Sequence, residues 1–242
     1  TLNLEKQKDR LKNISKMIIG ISKVIEKIKP RIILIYGDTD STLAAAVTAR
    51  KKNIKLIHVE AGMRSFDITM PEEQNRLIAD KLSDYFITVS KDSTRNLKKE
   101  GIKSNKIFQF GDVMHDSVLF YKKKIILNDK NLSKNKYAFF TIHRDSNTNY
   151  NILKKIIQNL GKLKIKIYWP MHPKIEKLLK KKKINIPNNF FLTKPQSYLN
   201  TLKLIFNSNF VISDSGGVLR EAFFLNKKTF IIRKETEWPG LL

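Results

Sequence analysis

The chain has 242 residues, 41% of them hydrophobic, enough for one large or two small domains with a full core. It has no cysteine, which excludes disulfides and thiolate metal sites, and no apolar run of the roughly 18–20 residues a membrane span needs. The formal net charge of +25 comes from lysines spread over every predicted helix, as in Lys122-Lys123-Lys124 and Lys180 to Lys183; without a basic stripe interleaved with aromatics they read as solvated lysines, not a nucleic-acid face.

Residues 4–28 carry apolar side chains at helical spacing (Leu11, Ile14, Ile18, Ile21, Ile25, Ile28), which predicts an amphipathic helix. No signal peptide pattern precedes it, and the lack of cysteine suits a cytoplasmic protein, which is the expectation. Residues 31–37, Arg-Ile-Ile-Leu-Ile-Tyr-Gly, form a nearly continuous apolar run, the mark of a buried parallel strand. Asp38 follows in the turn before an alanine-rich helix over 43–52, where it is either a helix cap or a functional carboxylate. A strand over 56–60 leads into His58-Val59-Glu60-Ala61-Gly62-Met63-Arg64-Ser65 and on to Pro71-Glu72-Glu73-Gln74-Asn75-Arg76. Carboxylates and arginines so concentrated after a buried strand point to a ligand site, because open α/β sheets bind ligands at the carboxyl ends of their strands. Glu72 and Glu73 open a helix over 72–82, where either could instead complement the helix N-terminus. Strands over 85–90 and 107–111 alternate with helices over 92–100 and 112–121, and the polar stretch 128–136 reads as a linker.

The alternation then restarts. Strands are predicted at 137–143, 166–171, 190–194, 210–214 and 229–233, with helices at about 150–162, 174–183, 197–207 and 217–226. The expected fold class is α/β, with two Rossmann-like domains of parallel sheet facing a cleft, 1–127 and 137–242. In the second domain Thr141-Ile142-His143-Arg144, His172-Pro173 and Ser213-Asp214-Ser215-Gly216-Gly217 end strands. Ser215, Gly216 and Gly217 open a helix whose backbone N–H groups favour an anion, although such a turn alone is a weak signal. Glu221, one turn on, could accept hydrogen bonds from ribose hydroxyls. His143 and His172 lie at strand ends, which favours the cleft over a purely structural role. No tight His, Asp and Glu spacing supports a metal site.

Gly37-Asp38-Thr39, His58-Val59-Glu60-Ala61-Gly62, Pro71-Glu72-Glu73 with Asn75-Arg76, Thr141-Ile142-His143-Arg144, Asp214-Ser215-Gly216-Gly217 and Glu235-Thr236-Glu237 occur in an order that resembles the non-hydrolysing bacterial UDP-N-acetylglucosamine 2-epimerases. Met70 before Pro71, Gly111-Asp112-Val113-Met114 and Thr236-Glu237-Trp238 look more like the branch acting on UDP-2,3-diacetamido-glucuronate. The resemblance implies a GT-B-like fold, a UDP-sugar substrate, and a homodimer at full length. It implies inversion at C2 by elimination and re-addition of UDP, for cell-surface polysaccharide precursors, with no nicotinamide or other cofactor. A hydrolysing relative would instead release free N-acetylmannosamine and UDP, and a basic nucleic-acid-binding protein is the non-enzymatic alternative. By resemblance Asp38, Glu60, Glu72 and His143 are the acid/base residues, with the C2 base open among the carboxylates. Arg144, His172, Ser215, Gly216, Gly217 and Glu221 are the UDP-binding residues. The Gly-Thr-Arg-Pro-Glu turn of the family has no counterpart here, nor has its carboxyl-terminal part. The chain is therefore expected to be a piece of a longer protein with little activity alone.

Overall fold

The computed structural model describes residues 9–128 and 137–233. They form two compact units that divide between Asp112 and Val113.

The first unit runs α1 (Arg10–Ile28), β1 (Ile32–Tyr36), α2 (Asp40–Lys51), β2 (Lys55–Val59), α3 (Pro71–Leu82), β3 (Tyr85–Thr88), α4 (Lys91–Lys99) and β4 (Ile107–Gln109). Its four strands are parallel, in the order β1-β2-β3-β4. Asp9 starts α1 by accepting from the backbone N–H groups of Leu11 and Lys12, an N-cap that satisfies otherwise unpaired donors. The alanines of α2 allow close packing: Ala46 and Ala49 are fully buried against Ile35, Leu56 and Ala79. The apolar run of β1 was expected to be a buried strand, but among the described residues only one of its faces is packed, against α2. Ile33 and Ile35 face the core, while Ile32, Leu34 and Tyr36 alternate outward and are about half exposed.

The loop after β2 is wound through left-handed backbone. Glu60 has φ 72°, Gly62 φ 76° and Phe66 φ 59°. At Gly62 the reason for glycine is also steric, since a Cβ there would lie 2.3 Å from the Ser93 carbonyl oxygen and 2.8 Å from Leu97 Cγ.

The second unit runs α5 (Val113–Asn128), β5 (Tyr137–Thr141), α6 (Asp145–Thr148), α7 (Tyr150–Gly161), β6 (Lys166–Pro170), α8 (Pro173–Lys181), β7 (Phe190–Thr193), α9 (Tyr198–Asn207), β8 (Phe210–Ser213), α10 (Gly216–Phe224) and β9 (Thr229–Ile231). Its sheet is parallel, ordered β7-β6-β5-β8-β9. Side chains of β5 alternate between two cores. Ala138 and Phe140 pack with Leu153 and Ile157 of α7 and Ile175 of α8. Tyr137 and Phe139 pack with α5, α9 and α10. Full burial of a residue such as Phe140 or Leu153 contributes roughly 1.5–3 kcal/mol.

Val118 and Ile125 of α5 are buried against Tyr137, Leu202, Ile205 and Val211. The expected division into 1–127 and 137–242 therefore assigns α5 to the first domain, whereas its core contacts are with the second. Composition marked the polar stretch as a linker, but apolar packing decides where a unit begins. Most of that stretch, and Glu235-Thr236-Glu237, lie outside the described residues. Among the described residues no helix is long and apolar enough to cross a membrane.

Candidate functional site

In the first unit the carboxylates singled out in the sequence stand at the carboxyl ends of β1 and β2 and at the start of α3. Asp38 and Glu72 line one cavity of about 370 Å³ with Arg10, Thr39, Asp40 and Asn75. Asp38 is not a helix cap: Thr39 holds that position, without a side-chain bond. Asp38 is instead gripped by Arg76, whose Nε and Nη2 donate to Oδ2 at 3.0 and 2.7 Å. Asn75 Nδ2 donates to the Asp38 carbonyl at 2.8 Å. The Asn75-Arg76 pair of α3 thus fixes the turn after β1.

Glu72 and Glu73, equivalent by sequence, separate completely. Glu73 is buried; it accepts from the backbone N–H groups of Ser65 and Phe66 and pairs with Arg76 Nη1 at 2.6 Å. It holds the loop after β2. Glu72 is exposed on the cavity wall and is the member of the pair open to a ligand. Glu60 is outside the residues lining this cavity, half-buried at the end of β2, with its backbone N–H donating to the Ile87 carbonyl at 3.0 Å.

Arg10 was not foreseen. Its guanidinium forks onto both carboxylate oxygens of Asp40 and holds that carboxyl below the usual carboxylate range. The partner lies thirty residues away, so no local spacing in the sequence signals the pair. The same unit holds a buried ionic network. Asp80 meets His58 Nδ1 at 2.6 Å, Arg64 Nη2 at 2.7 Å and the Gly62 N–H at 3.1 Å, and Arg64 also forks onto Glu100. Burial by itself would raise the Asp80 carboxyl, but His58 and Arg64 outweigh it and hold it below its ordinary value.

In the second unit the motifs meet at the point where strand order reverses. β5 pairs with β6 on one side and β8 on the other, with Thr141 in register with Ser213. The crevice at such a switch point is the usual ligand position of an open α/β sheet. Asp214, fully buried, joins the two motifs. It accepts from the His143 N–H at 3.1 Å, the Arg144 N–H at 3.0 Å and Asn147 Nδ2 at 3.0 Å. His143 Nδ1 lies 3.2 Å from the same carboxylate, so Asp214 sets both the backbone and the ring of His143. Burial would raise the Asp214 carboxyl, but these donors hold it low. Arg144 Nε donates to the Asp214 carbonyl at 3.1 Å.

Ser215 caps α10, accepting from the Val218 N–H, and Gly216 and Gly217 open the helix. Arg233 Nη1 lies 4.0 Å from where a Cβ on Gly216 would sit. This places a cation beside the helix N-terminus, and the sequence reading missed it because Arg233 looked like a strand end. Glu221 is buried in α10, and burial pushes its carboxyl up to about 7, against the pull of Arg220. His172 is exposed and uses Nδ1 to accept from the Lys174 N–H at 3.2 Å, capping α8.

The whole chain, residues 1–242, matches the model of a family described as UDP-N-acetylglucosamine 2-epimerase. It is 42% identical over 233 residues to a UDP-N-acetylglucosamine 2-epimerase homolog of Methanococcus maripaludis, across 92% of this chain and 65% of that protein. It is 38% identical over 233 residues to the UDP-2,3-diacetamido-2,3-dideoxy-D-glucuronate 2-epimerase of Pseudomonas aeruginosa, across 94% of this chain and 65% of that protein. The chain thus spans 65% of the length of each of these curated relatives. Among solved structures it is similar to the Methanocaldococcus jannaschii UDP-GlcNAc 2-epimerase in complex with UDP-GlcNAc and UDP, with TM-score 0.87 and 33% identity, over 98% of this chain and 72% of that one. It is also similar to the Neisseria meningitidis UDP-GlcNAc 2-epimerase bound to UDP-GlcNAc, with TM-score 0.88 and 28% identity, over 99% of this chain and 70% of that one.

Proposed function

The chain belongs to the UDP-N-acetylglucosamine 2-epimerase family, and we propose on that premise that the protein inverts C2 of a UDP-N-acetylhexosamine by eliminating UDP and adding it back. The observation that carries this reading is the pair Asp38 and Glu72 on one cavity wall with Arg10, at the carboxyl end of β1. A base takes the C2 proton, the C–H electron pair becomes the C1–C2 double bond, and the C1–oxygen bond breaks with its pair leaving on UDP. Return of a proton to the opposite face of C2 and attack of a UDP phosphate oxygen on C1 complete the inversion. The C2 hydrogen is weakly acidic, so its removal needs positioned carboxylates or histidine, a role we give to Asp38, Glu60, Glu72 and His143. The leaving diphosphate needs fixed positive charge, which the N-terminus of α10 and Arg233 supply. Ser215, Gly216, Gly217, Arg144 and Glu221 complete the nucleotide site in this reading, with His172 at its margin.

The test is isotope exchange. In heavy water the protein, extended to the length of its relatives, should place deuterium at C2 of the UDP-sugar without added nicotinamide. Absence of deuterium from every substrate tried sinks the reading, and deuterium accompanied by free sugar moves the protein to the hydrolysing class. A second substrate, UDP-2,3-diacetamido-glucuronate, is favoured by the similarity to the Pseudomonas aeruginosa enzyme and by Met70 ahead of Pro71-Glu72-Glu73. Both UDP-sugars therefore belong in the assay.

Glu221 gives the nucleotide site a pH signature. An ionised carboxylate accepts from ribose hydroxyls through both oxygens and more strongly than the protonated acid, yet in the free protein burial keeps the proton on up to about pH 7. Uridine, which carries no titrating phosphate, should therefore bind more tightly at about pH 8 than at about pH 6, by up to roughly tenfold per unit below the carboxyl's own value. Glu221→Gln should flatten that dependence. The same group lowers stability as pH rises from its ordinary value of 4.5 to about 7, because the folded state holds a proton the unfolded state releases there. Calorimetric titration with uridine at both pH values checks the first effect, and a pH-independent affinity in the wild type would remove Glu221 from the ribose site.

A further inference from the structure

His58 is fully buried at the end of β2, and both its ring nitrogens face acceptors. Nε2 lies 2.8 Å from the Gly37 carbonyl oxygen, which has no proton to give. Nε2 must therefore donate. Nδ1 lies 2.6 Å from Asp80 Oδ1. The other oxygen of Asp80 accepts from the Gly62 N–H and from the Arg64 guanidinium. That cation favours the ionised carboxyl, and imidazole is the more basic of the two groups, so the shared proton sits on Nδ1, which donates as well. An imidazole that donates from both nitrogens is an imidazolium. Loss of either proton would set a nitrogen lone pair against a buried acceptor oxygen.

We infer that His58 is a fixed imidazolium that acts as a positioning residue, holding the turn that carries Asp38 and the loop that carries Glu60 in one frame. One end of the ring fixes Gly37, whose successor is Asp38. The other end fixes Asp80, which in turn holds Gly62 and Arg64. The charged groups facing the ring or its partner are Asp80, Arg64 and Glu60. Burial alone would lower the imidazole, but the hydrogen bond and charge of Asp80 outweigh it, with Gly37 and Glu60 adding to the rise.

The catalytic arm of the inference rests on the epimerase reading, but the charge on the ring does not. Nitrogen-15 spectra of histidine-labelled protein test the charge directly. Of the four histidines only His58 is buried, so its ring N–H protons identify themselves by slow exchange with water. Both ring nitrogens should stay protonated above 6.5, the ordinary value of an imidazole. A His58 ring with one bare nitrogen at neutral pH overturns the inference. In the protein at its relatives' full length, His58→Gln offers an amide that cannot serve both acceptors. It should lower kcat for C2 exchange by on the order of 10–100-fold with uridine affinity and KM unchanged. An unchanged kcat in the folded variant overturns the positioning role. If the wild type exchanges nothing, the epimerase reading falls and the ring spectrum alone decides the charge.

Discussion

Glu60→Gln should slow C2 deuterium exchange by a factor on the order of 10²–10⁴ while leaving the fold intact. The substitution keeps the shape of the side chain and removes its basicity. The fold survives because Glu60 follows β2 outside the apolar clusters, and its backbone N–H, which donates to the Ile87 carbonyl, is untouched by the substitution. Its backbone carries a further prediction. With φ 72° Glu60 sits in the left-handed region, which costs a residue with a Cβ roughly 1–2 kcal/mol. Such strain is retained where it aims a functional side chain. Glu60→Gly should therefore stabilise the protein by about 1 kcal/mol in urea denaturation and still abolish exchange. If both variants exchange at the wild-type rate, the base is another carboxylate, with Asp38 and Glu72 next to be changed.

The parallel α/β alternation was legible because buried strands announce themselves as apolar runs, and the helices between them by their spacing. Burial across the chain was harder to read. β1 looks like a central strand because Ile32, Leu34 and Tyr36 are as apolar as Ile33 and Ile35, yet α2 covers only the face of the last two and the first three are exposed. Site chemistry was legible where a motif names residue types and not where geometry divides their roles. Pro71-Glu72-Glu73 shows two like carboxylates, but a one-residue step along a helix turns the side chain by about 100°. That step sends Glu73 to Arg76 and the loop amides and leaves Glu72 on the cavity. Asp38 could equally have been a cap by sequence; Arg76, thirty-eight residues on, claims it. Arg10 and Arg233 carry no local signal at all, because each reaches its site across the fold. Asp214 was visible as part of a motif, but its role in joining two strand ends depends on β5 and β8 being neighbours, an adjacency separated by some seventy residues of chain.

Asp80→Ala should destabilise the protein by about 3–5 kcal/mol, the usual cost of removing one partner from a buried ionic group. It strips His58 of its carboxylate, leaves the Gly62 N–H unpaired, and leaves Arg64 to Glu100 and the Met63 carbonyl. The pH dependence distinguishes this loss from simple cavity formation. In the wild type the folded state raises His58 above its ordinary 6.5. Its contribution to stability is therefore full below about 6.5 and is lost as pH rises through the raised value. In Asp80→Ala burial acts on the ring without its opposing carboxylate and holds it below 6.5. The unfolded state then binds a proton that the folded state refuses, so this contribution improves as pH rises to about 6.5 and levels off above it. The difference in stability between the two proteins should accordingly be larger at about pH 6 than at about pH 9. Urea midpoints of both proteins at the two pH values measure that difference, and because other titrating groups are common to both proteins, their effects largely cancel. A difference that does not change with pH would mean that His58 carries no charge in the folded protein, and that Asp80 is retained for its bonds to Arg64 and the Gly62 amide alone.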